Sequence, residues 1–306
     1  MVMHMKIGLP KALLYYRYGT LWETFFRELQ FDVEISTDTN KGMLKQGTKN
    51  ALDENCLPLK IFMGHVQSLI GNCDRILIPR FARTGKTEEY CVRFWGLPDL
   101  VRSTFPDAPI LSYNVDLGRY GNEAAAFIQM GKSLGKSKRA SYQAYCAGCL
   151  AQQMADRQKV YSQSERMRTS DRKVLIASQP YLIHDAYIGK QLQNLIIGRG
   201  VTPLFSDQCC RSLCRAFSTE ISNSLYWSIN KEIIGAIELY KNQVDGIILL
   251  TAFPCGSDSL VNELVLRKVK STPMIQILLD EHTAPAGLET RIESFIDILS
   301  QRRPYA

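Results

Sequence analysis

Long apolar runs are missing from this sequence. No stretch approaches the roughly 18 consecutive apolar residues that a helix needs to cross a bilayer, although 45% of the 306 residues are hydrophobic. The first residues, MVMHMKIGLP, lead into a strand-like pattern without the cleavage site of a secretory signal peptide. The sequence therefore predicts a globular protein of the cytoplasm with no membrane partner.

A strong charge imbalance is also missing. The chain has 37 basic and 30 acidic residues, which gives a formal net charge of +7. The basic residues are scattered, apart from the run GKSLGKSKRA at 131–140. One such run is typical of a solvated connection and does not indicate a nucleic-acid partner.

Two nucleotide-binding signatures are incomplete. The segment AFIQMGKS at 126–133 ends like a phosphate-binding loop, but Ala126 replaces its first glycine and no predicted strand leads into it. No GxGxxG motif follows a predicted strand, so a dinucleotide is not expected either. If ATP drives the chemistry of this protein, a second protein must hydrolyse it.

What the sequence does have is a regular alternation of strand-like apolar runs with amphipathic helical stretches, which is typical of parallel α/β architecture. The pattern also repeats. Three pairs of segments show the same predicted elements in the same order: 6–37 and 173–207, 73–81 and 244–253, 108–116 and 272–280.

The repeat predicts two similar α/β lobes with parallel sheets. We place the first lobe at 1–120 and the second at 171–306, joined by a helical linker at 121–170 that is rich in Ala, Gln, Lys, Arg and Ser. Ligands of open parallel sheets bind beyond the carboxyl ends of the strands. Two lobes facing across a cleft would therefore present their loops to a shared site.

Nine cysteines are unusual for a cytoplasmic chain of this length, and a reducing compartment favours metal binding or redox chemistry over disulfides. Cys56, Cys91 and Cys255 share one context, just before a predicted helix, and Cys91 and Cys255 also follow a predicted strand. The positive end of a helix stabilises a thiolate, and thiolates without companion histidines favour an iron–sulfur cluster or zinc. The alternative is that each is a small buried residue at the end of a strand.

The other candidate residues are less specific. Cys146 and Cys149 form a CxxC in a helical context, while Cys209, Cys210 and Cys214 lie in DQCCRSLC. A zinc ribbon would need two CxxC pairs about 15–20 residues apart, which this spacing does not supply. These five cysteines could build a second metal centre or remain unligated thiols. His282, at the end of a predicted strand, is a candidate proton donor or a neighbour of the cluster, or else a loop residue that pairs with carbonyl groups.

Four motifs together resemble the 2-hydroxyacyl-CoA dehydratase and benzoyl-CoA reductase superfamily. In chain order they are ENCLPLKIFMGHV, YCVRFWGLPDL, FPCGSDSLVNE and LLDEHTAPAGLETRIESFID. The likeness is greatest to the activase-related domain of CoA-substrate-specific enzyme activases, here in a stand-alone form.

The resemblance implies two Rossmann-like lobes that hold an oxygen-sensitive [4Fe–4S] cluster on Cys56, Cys91 and Cys255. A double-cubane cluster that also uses some of the other five cysteines is the alternative. It further implies an ATP-hydrolysing activator as partner, an acyl-CoA thioester or other small molecule as substrate, and allows a homodimer.

Two functions follow for this chain. The first is a low-potential iron–sulfur protein that takes electrons from the activator and reduces the substrate, as a reductase or dehydratase component. The second is a non-catalytic two-lobed binding or regulatory module with structural zinc or no metal.

Overall fold

The computed structural model describes residues 5–85, 87–120, 122–283 and 285–301. The chain divides into two compact units, the first formed by 1–157 with 226–228 and the second by 158–225 with 229–306. The main division falls between Arg157 and Gln158, inside the predicted linker. Among the described residues, no helix is both long and apolar enough to cross a membrane.

The first unit contains six short strands and the helices that connect them. Its strands are β1 (Lys6–Leu9), β2 (Asp32–Ile35), β3 (Arg75–Leu77), β4 (Arg80–Arg83), β5 (Ile110–Leu111) and β6 (Asn114–Asp116). Its helices are α1 (Tyr15–Glu28), α2 (Lys41–Asn50), α3 (Leu57–Leu69), α4 (Val92–Trp95), α5 (Leu97–Thr104), α6 (Leu117–Tyr120) and α7 (Glu123–Ser133). The helix α8 (Lys138–Met167) runs from the first unit into the second.

The second unit contains four strands: β7 (Arg172–Ala177), β8 (Val201–Phe205), β9 (Gly246–Ala252) and β10 (Met274–Leu279). Its helices are α9 (Pro180–Ile183), α10 (Gly189–Ile197), α11 (Arg211–Ile221), α12 (Ser228–Tyr240), α13 (Gly256–Lys268) and α14 (Pro285–Gln301), with a short 3₁₀ turn at Ser206–Gln208.

The two main sheets have the same topology. The order is β2-β1-β3-β5 in the first unit and β8-β7-β9-β10 in the second, and every pairing is parallel. All seven residues of β9 are buried, because the strands of a parallel sheet are covered by helices on both faces. The prediction of two similar α/β lobes with parallel sheets is confirmed. The internal repeat of the sequence corresponds to this repeated strand order.

The core of the first unit is aromatic. α1 buries Trp22, Phe25 and Phe26, whose spacing of three to four residues places them on one helical face. The ring of Phe25 lies edge-on to that of Phe127 on α7, with centroids 4.9 Å apart. Trp22 donates from Nε1 to the hydroxyl of Tyr113 at 2.7 Å, so the one polar atom of the indole is paired within the core.

A short segment of the second half of the chain completes the first unit. Glu89 donates its backbone N–H to the carbonyl of Tyr226 at 2.9 Å and accepts one from Ser228 at 2.9 Å. The hydroxyls of Ser228 and Thr84 lie 2.6 Å apart. Residues 226–228 therefore fix the loop that leads to Cys91.

Helices α2 and α3 approach each other unusually closely at two glycines. A Cβ atom on Gly47 would lie 1.8 Å from the carbonyl oxygen of Lys60, and one on Gly64 would lie 2.3 Å from that of Met43. Only residues without a side chain fit at this crossing. The crossing fixes the loop between the helices, which ends at Cys56.

A methyl group at this crossing should destabilise the first unit. Gly47→Ala is expected to lower the free energy of unfolding by about 1–3 kcal/mol, because the helices must separate to admit it. All three tryptophans lie in the first unit, so the urea midpoint of tryptophan fluorescence measures the effect. The matched control is Gly96→Ala in the first unit, where an added Cβ would meet only the carbonyl oxygen of Val92, at 3.8 Å. Equal midpoints for Gly47→Ala and the wild type would contradict the close crossing.

His65 on α3 is fully buried beside the carboxyl ends of β1 and β2. Its Nδ1 lies 2.7 Å from the hydroxyl of Ser36, and its Nε2 lies 2.9 Å from that of Thr39. Burial, and then the positive charge of Lys11, lowers the pKa of His65 to about 4. The native unit therefore holds a neutral imidazole at a pH where the unfolded chain, with a pKa of about 6.5, is protonated.

This histidine should make the first unit sensitive to acid. Its contribution is fully present above pH 6.5 and is lost as the pH falls from 6.5 through 4, because only the unfolded chain binds the proton over that range. The free energy of unfolding should fall by about 2 kcal/mol between pH 7 and pH 5. His65→Gln should remove most of that fall, and His282→Gln on an exposed loop controls for the loss of one imidazole. Wild-type acid sensitivity in His65→Gln would show that another group is responsible.

Candidate functional site

Four helices begin directly after a cysteine, two in each unit. These cysteines are Cys56 before α3, Cys91 before α4, Cys210 before α11 and Cys255 before α13. Within the repeat, Cys91 corresponds to Cys255, because both lie before the first helix after the third strand of the main sheet. Cys56 lies before the second of the two helices that follow the second strand, whereas Cys210 lies before the first, so these two cysteines do not correspond. Sequence reasoning placed Cys210 with Cys209 and Cys214 and missed its position at a helix start.

Cys56 is half-buried, with Pro58 in the first turn of the helix that follows it. The preceding residue, Asn55, is only 1% exposed, and neither its side-chain nitrogen nor its side-chain oxygen has a hydrogen-bond partner. Leaving a buried polar group unpaired costs roughly 1–3 kcal/mol. Asn55 is therefore an amide with unused hydrogen-bonding capacity next to a candidate ligand.

The position of Cys91 is fixed by the buried residue before it. The ring of Tyr90 packs edge-on against Phe81 and Phe94, with centroids 5.2 and 5.7 Å apart. Its hydroxyl lies 2.7 Å from that of Tyr18, and its backbone N–H donates to Ala82 at 2.8 Å. Cys91 itself is half-buried, so its main chain is held while its side chain stays partly accessible.

Cys255 adjoins a buried polar cluster at the carboxyl ends of β7 and β9. Asp258, in the first turn of α13, accepts hydrogen bonds on Oδ1 from Gln179 Nε2 and from Asn230 Nδ2, both at 2.8 Å. The carboxyl group also hydrogen bonds to the thiol of Cys255, and Ser257 Oγ lies 3.5 Å from the sulfur. The side-chain oxygen of Gln179 is buried and unpaired.

Burial dominates the electrostatics of this cluster. It raises the pKa of Cys255 well above the usual range, and the neighbouring charge of Asp258 raises it further. Burial also raises the pKa of Asp258, against the lowering effect of the Gln179 and Asn230 hydrogen bonds. Cys255 is therefore a protonated thiol in the ligand-free chain, and any metal that it binds must displace that proton.

Cys210 has the opposite character. The hydrogen bond with Ser212, at 3.2 Å, and the backbone N–H of Leu213 lower the pKa of this thiol. The side chain lies at the start of an eleven-residue helix, where the helix dipole favours a thiolate. Of the two helix-start cysteines in the second unit, Cys210 is therefore the more nucleophilic at neutral pH.

The CxxC motif lies on α8, away from the sheet edges. Cys146 is exposed, one turn after Tyr142, and Cys149 is half-buried, one turn after Tyr145. Burial raises the pKa of Cys149, and the hydroxyl of Tyr145 hydrogen bonds to its sulfur. The structure thus gives each thiol a tyrosine neighbour, and a role for this pair in a second metal centre stays a prediction.

The remaining cysteines are two buried residues and one half-buried residue. Cys209 and Cys214 are buried together in an apolar cluster with Ala236 and Tyr240. Cys73 is half-buried just before β3, packed against Gly8 of β1, and burial raises the pKa of its thiol.

Two histidines of the second unit differ in their surroundings. His282 is exposed, on a loop in which its backbone N–H donates to Asp280 Oδ1 at 2.9 Å, and its role as a proton donor stays a prediction. His184, which sequence reasoning missed, follows α9 and lies 2.8 Å from Asp207 through Nε2. Burial acts to raise the pKa of Asp207, but the contact with His184 outweighs it and the pKa is lowered. The only signal in the sequence was a histidine shortly after a predicted strand.

Thiol donors with few histidines suit an iron–sulfur cluster or zinc. Cys56 and Cys91 belong to the first unit and Cys255 to the second, and all three are half-buried. Within the described ranges, no group of three or more His, Cys, Asp or Glu side chains could hold a metal ion. The fit of these residues to a cluster rests on their donor chemistry and on the unpaired amide of Asn55, and the ligand set stays a prediction.

The contrast between Cys210 and Cys255 predicts different alkylation rates. At pH 7, Cys210 should react with iodoacetamide at least about tenfold faster than Cys255, because the thiolate is the nucleophile. Asp258→Asn should accelerate the labelling of Cys255, since it removes the carboxylate that holds the thiol proton, and Asp99→Asn is a control. Peptide mass spectrometry after timed labelling gives each rate, and equal rates at the two cysteines would refute the assignment.

Comparison with known proteins gives the family. Residues 6–209, more than half of the chain, match the family model described as "CoA enzyme activase uncharacterised domain (DUF2229)"; Cys255 lies beyond the matched range. No curated protein matches the chain. A solved carbohydrate transporter from Acidothermus cellulolyticus 11B, in complex with myo-inositol, is 9% identical over 99% of this chain and 90% of that chain, with a TM-score of 0.20, too low to carry an argument. The chain belongs to the family of the CoA enzyme activase domain.

Proposed function

We propose that this chain is a low-potential iron–sulfur protein that accepts electrons from an ATP-hydrolysing activator and reduces a small molecule or an acyl-CoA thioester. The observation that carries the proposal is the placement of Cys56, Cys91 and Cys255. Each lies directly before a helix at half-burial. Membership of the CoA enzyme activase family supports an acyl-CoA-related role.

The chemistry of these positions suits a cluster of low potential. Bound iron–sulfur clusters reach potentials of about −700 mV, and the protein sets the value through thiolate number, hydrogen bonds to sulfur and solvent exposure. Hydrogen-bond donors next to the sulfurs are available from the first turns of α3 and α13. The amide of Asn55 is a further donor beside Cys56.

The polar cluster around Cys255 would hold this ligand in position. Gln179 and Asn230 both donate to one oxygen of Asp258, which fixes the carboxyl group that contacts the thiol. Hydrogen bonds to a ligand from neighbouring side chains orient the ligand and tune the metal group that it holds. Asp258 is the group through which the thiol proton would leave when the sulfur becomes a ligand.

The activator enters the proposal because the phosphate-binding signature of the sequence is incomplete. In AFIQMGKS, the segment that ends like a phosphate-binding loop lies within α7 (Glu123–Ser133), where the backbone N–H groups are engaged in helical hydrogen bonds and cannot cradle phosphates. ATP hydrolysis is therefore assigned to a second protein.

Metal analysis tests the proposal. After anaerobic reconstitution with iron and sulfide, the wild-type chain should be brown and hold about four irons and four sulfides. Cys56→Ala, Cys91→Ala and Cys255→Ala should each lose most of this iron, because three thiolates are needed to hold the cluster. Cys73→Ala, which removes a half-buried cysteine outside the proposed ligand set, should keep it.

Other iron contents would change the conclusion. About eight irons per chain would indicate a double cubane that uses some of the cysteines between 146 and 214. A colourless wild-type chain without iron would overturn the redox function and leave the binding module, and zinc in the same chain would make that metal structural.

A further inference from the structure

The buried pair Cys209 and Cys214 is not used by the proposed function. Cys209 follows the 3₁₀ turn at Ser206–Gln208, and Cys214 lies on the first turn of α11. The side chains are 5% and 0% exposed, and both belong to one buried cluster with Ala236. Two cysteines five residues apart are thus packed together inside the second unit.

Neighbouring groups hold both cysteines in place. Gln163 on α8 donates from Nε2 to the carbonyl of Phe205 at 2.8 Å and to the sulfur of Cys209 at 3.6 Å. The backbone of Cys214 touches α12 at Gly235, where a Cβ atom would lie 1.7 Å from the Cys214 carbonyl oxygen. Neither thiol can turn away from the other without disturbing the packing of α8, α11 or α12.

Oxidants in solution cannot reach the pair directly, because both sulfurs are buried. The next residue in the chain after Cys209 is Cys210, which is half-buried at the start of α11. The hydrogen bond with Ser212 favours its thiolate, the form that attacks a disulfide. The three cysteines of DQCCRSLC therefore comprise one accessible thiol and one buried pair.

We propose that Cys209 and Cys214 are a redox-active dithiol that closes to a disulfide, and that Cys210 is the thiol through which a low-molecular-weight disulfide, RSSR, reacts. The Cys210 thiolate attacks RSSR and releases the first RSH. The sulfur of Cys209 then attacks the R-bearing sulfur of this mixed disulfide, takes the RS group and frees Cys210 as a thiol. Finally, Cys214 attacks the sulfur of Cys209 and releases the second RSH.

The balance is two protein thiols and one RSSR giving one protein disulfide and two RSH. Two electrons and two protons pass from Cys209 and Cys214 to RSSR. The step needs no metal, so this inference stands apart from the proposed function. In the oxidised second unit, the disulfide covalently links the start of α11 to the end of the strand before it.

Disulfide mapping tests the dithiol. Trypsin cuts after Arg211 and thus separates Cys209 from Cys214, which fall in peptides 200–211 and 212–215. The full chain is reduced, equilibrated anaerobically in glutathione buffers, trapped with an alkylating reagent and digested. We expect the two peptides to be linked in both the wild type and Cys210→Ser, with the same fraction of linked peptide at equilibrium. Linkage should form at least about tenfold more slowly in the variant.

The serine variants also give the results that would contradict the proposal. Cys209→Ser should give no linked peptides, and linkage there to the wild-type extent would show that Cys210 pairs with Cys214 instead. Absence of linked peptides in the wild type at every glutathione ratio would overturn the proposal.

A comparison with the unfolded chain does not depend on any variant folding. The same equilibration in urea should give at least about tenfold less linkage at a given glutathione ratio, because only the fold places the two thiols together. Equal or greater linkage in urea would mean that the native packing does not favour the disulfide, and would likewise overturn the proposal.

Discussion

Parallel pairing of the strands is the constraint on which the rest of the structure depends. Consecutive parallel strands need a crossover, so each strand is followed by a helix, and all strands of a sheet end at the same edge. A residue between a strand end and a helix start therefore lies at that edge, whatever its residue type. Cys91, Cys210 and Cys255 occupy such places, whereas Cys56 follows helix α2, and half-burial leaves all four side chains partly accessible. The parallel sheet thus places Cys91 and Cys255 of the three candidate ligands.

Much of this could be predicted from the sequence, because it depends on local pattern. The alternation of apolar runs and amphipathic stretches predicted the parallel α/β class, and the repeat predicted two similar sheets. The position of Cys56, Cys91 and Cys255 just before a helix needed no tertiary information. Each of these signals is a local pattern of residue types, and the repeat shows the same local patterns twice along the chain.

The remaining features depend on contacts between distant parts of the chain. The members of the polar cluster beside Cys255 are 28 to 79 residues apart in the chain: Gln179, Asn230 and Asp258. No short sequence motif therefore predicts this cluster. His184 and Asp207 meet across two neighbouring strand ends, 23 residues apart. The contact between Cys209 and Cys214 depends on α8 and α12, which pack around them. Cysteines of identical chemistry thus differ in character because their surroundings differ: Cys255 is held protonated, Cys210 is a nucleophile, and Cys209 and Cys214 are a buried pair.

Because the segment 226–228 belongs to the first unit, the gene cannot be divided cleanly into two halves that each encode one unit. Two similar sheets in tandem read as the product of a duplication, and a gene cut between codons 157 and 158 would follow the main division of the chain. The first product would nevertheless lack Tyr226 and Ser228, which bond the backbone of Glu89 on the way to Cys91. Each half of the gene therefore encodes a sheet, but only the undivided reading frame encodes a complete first unit.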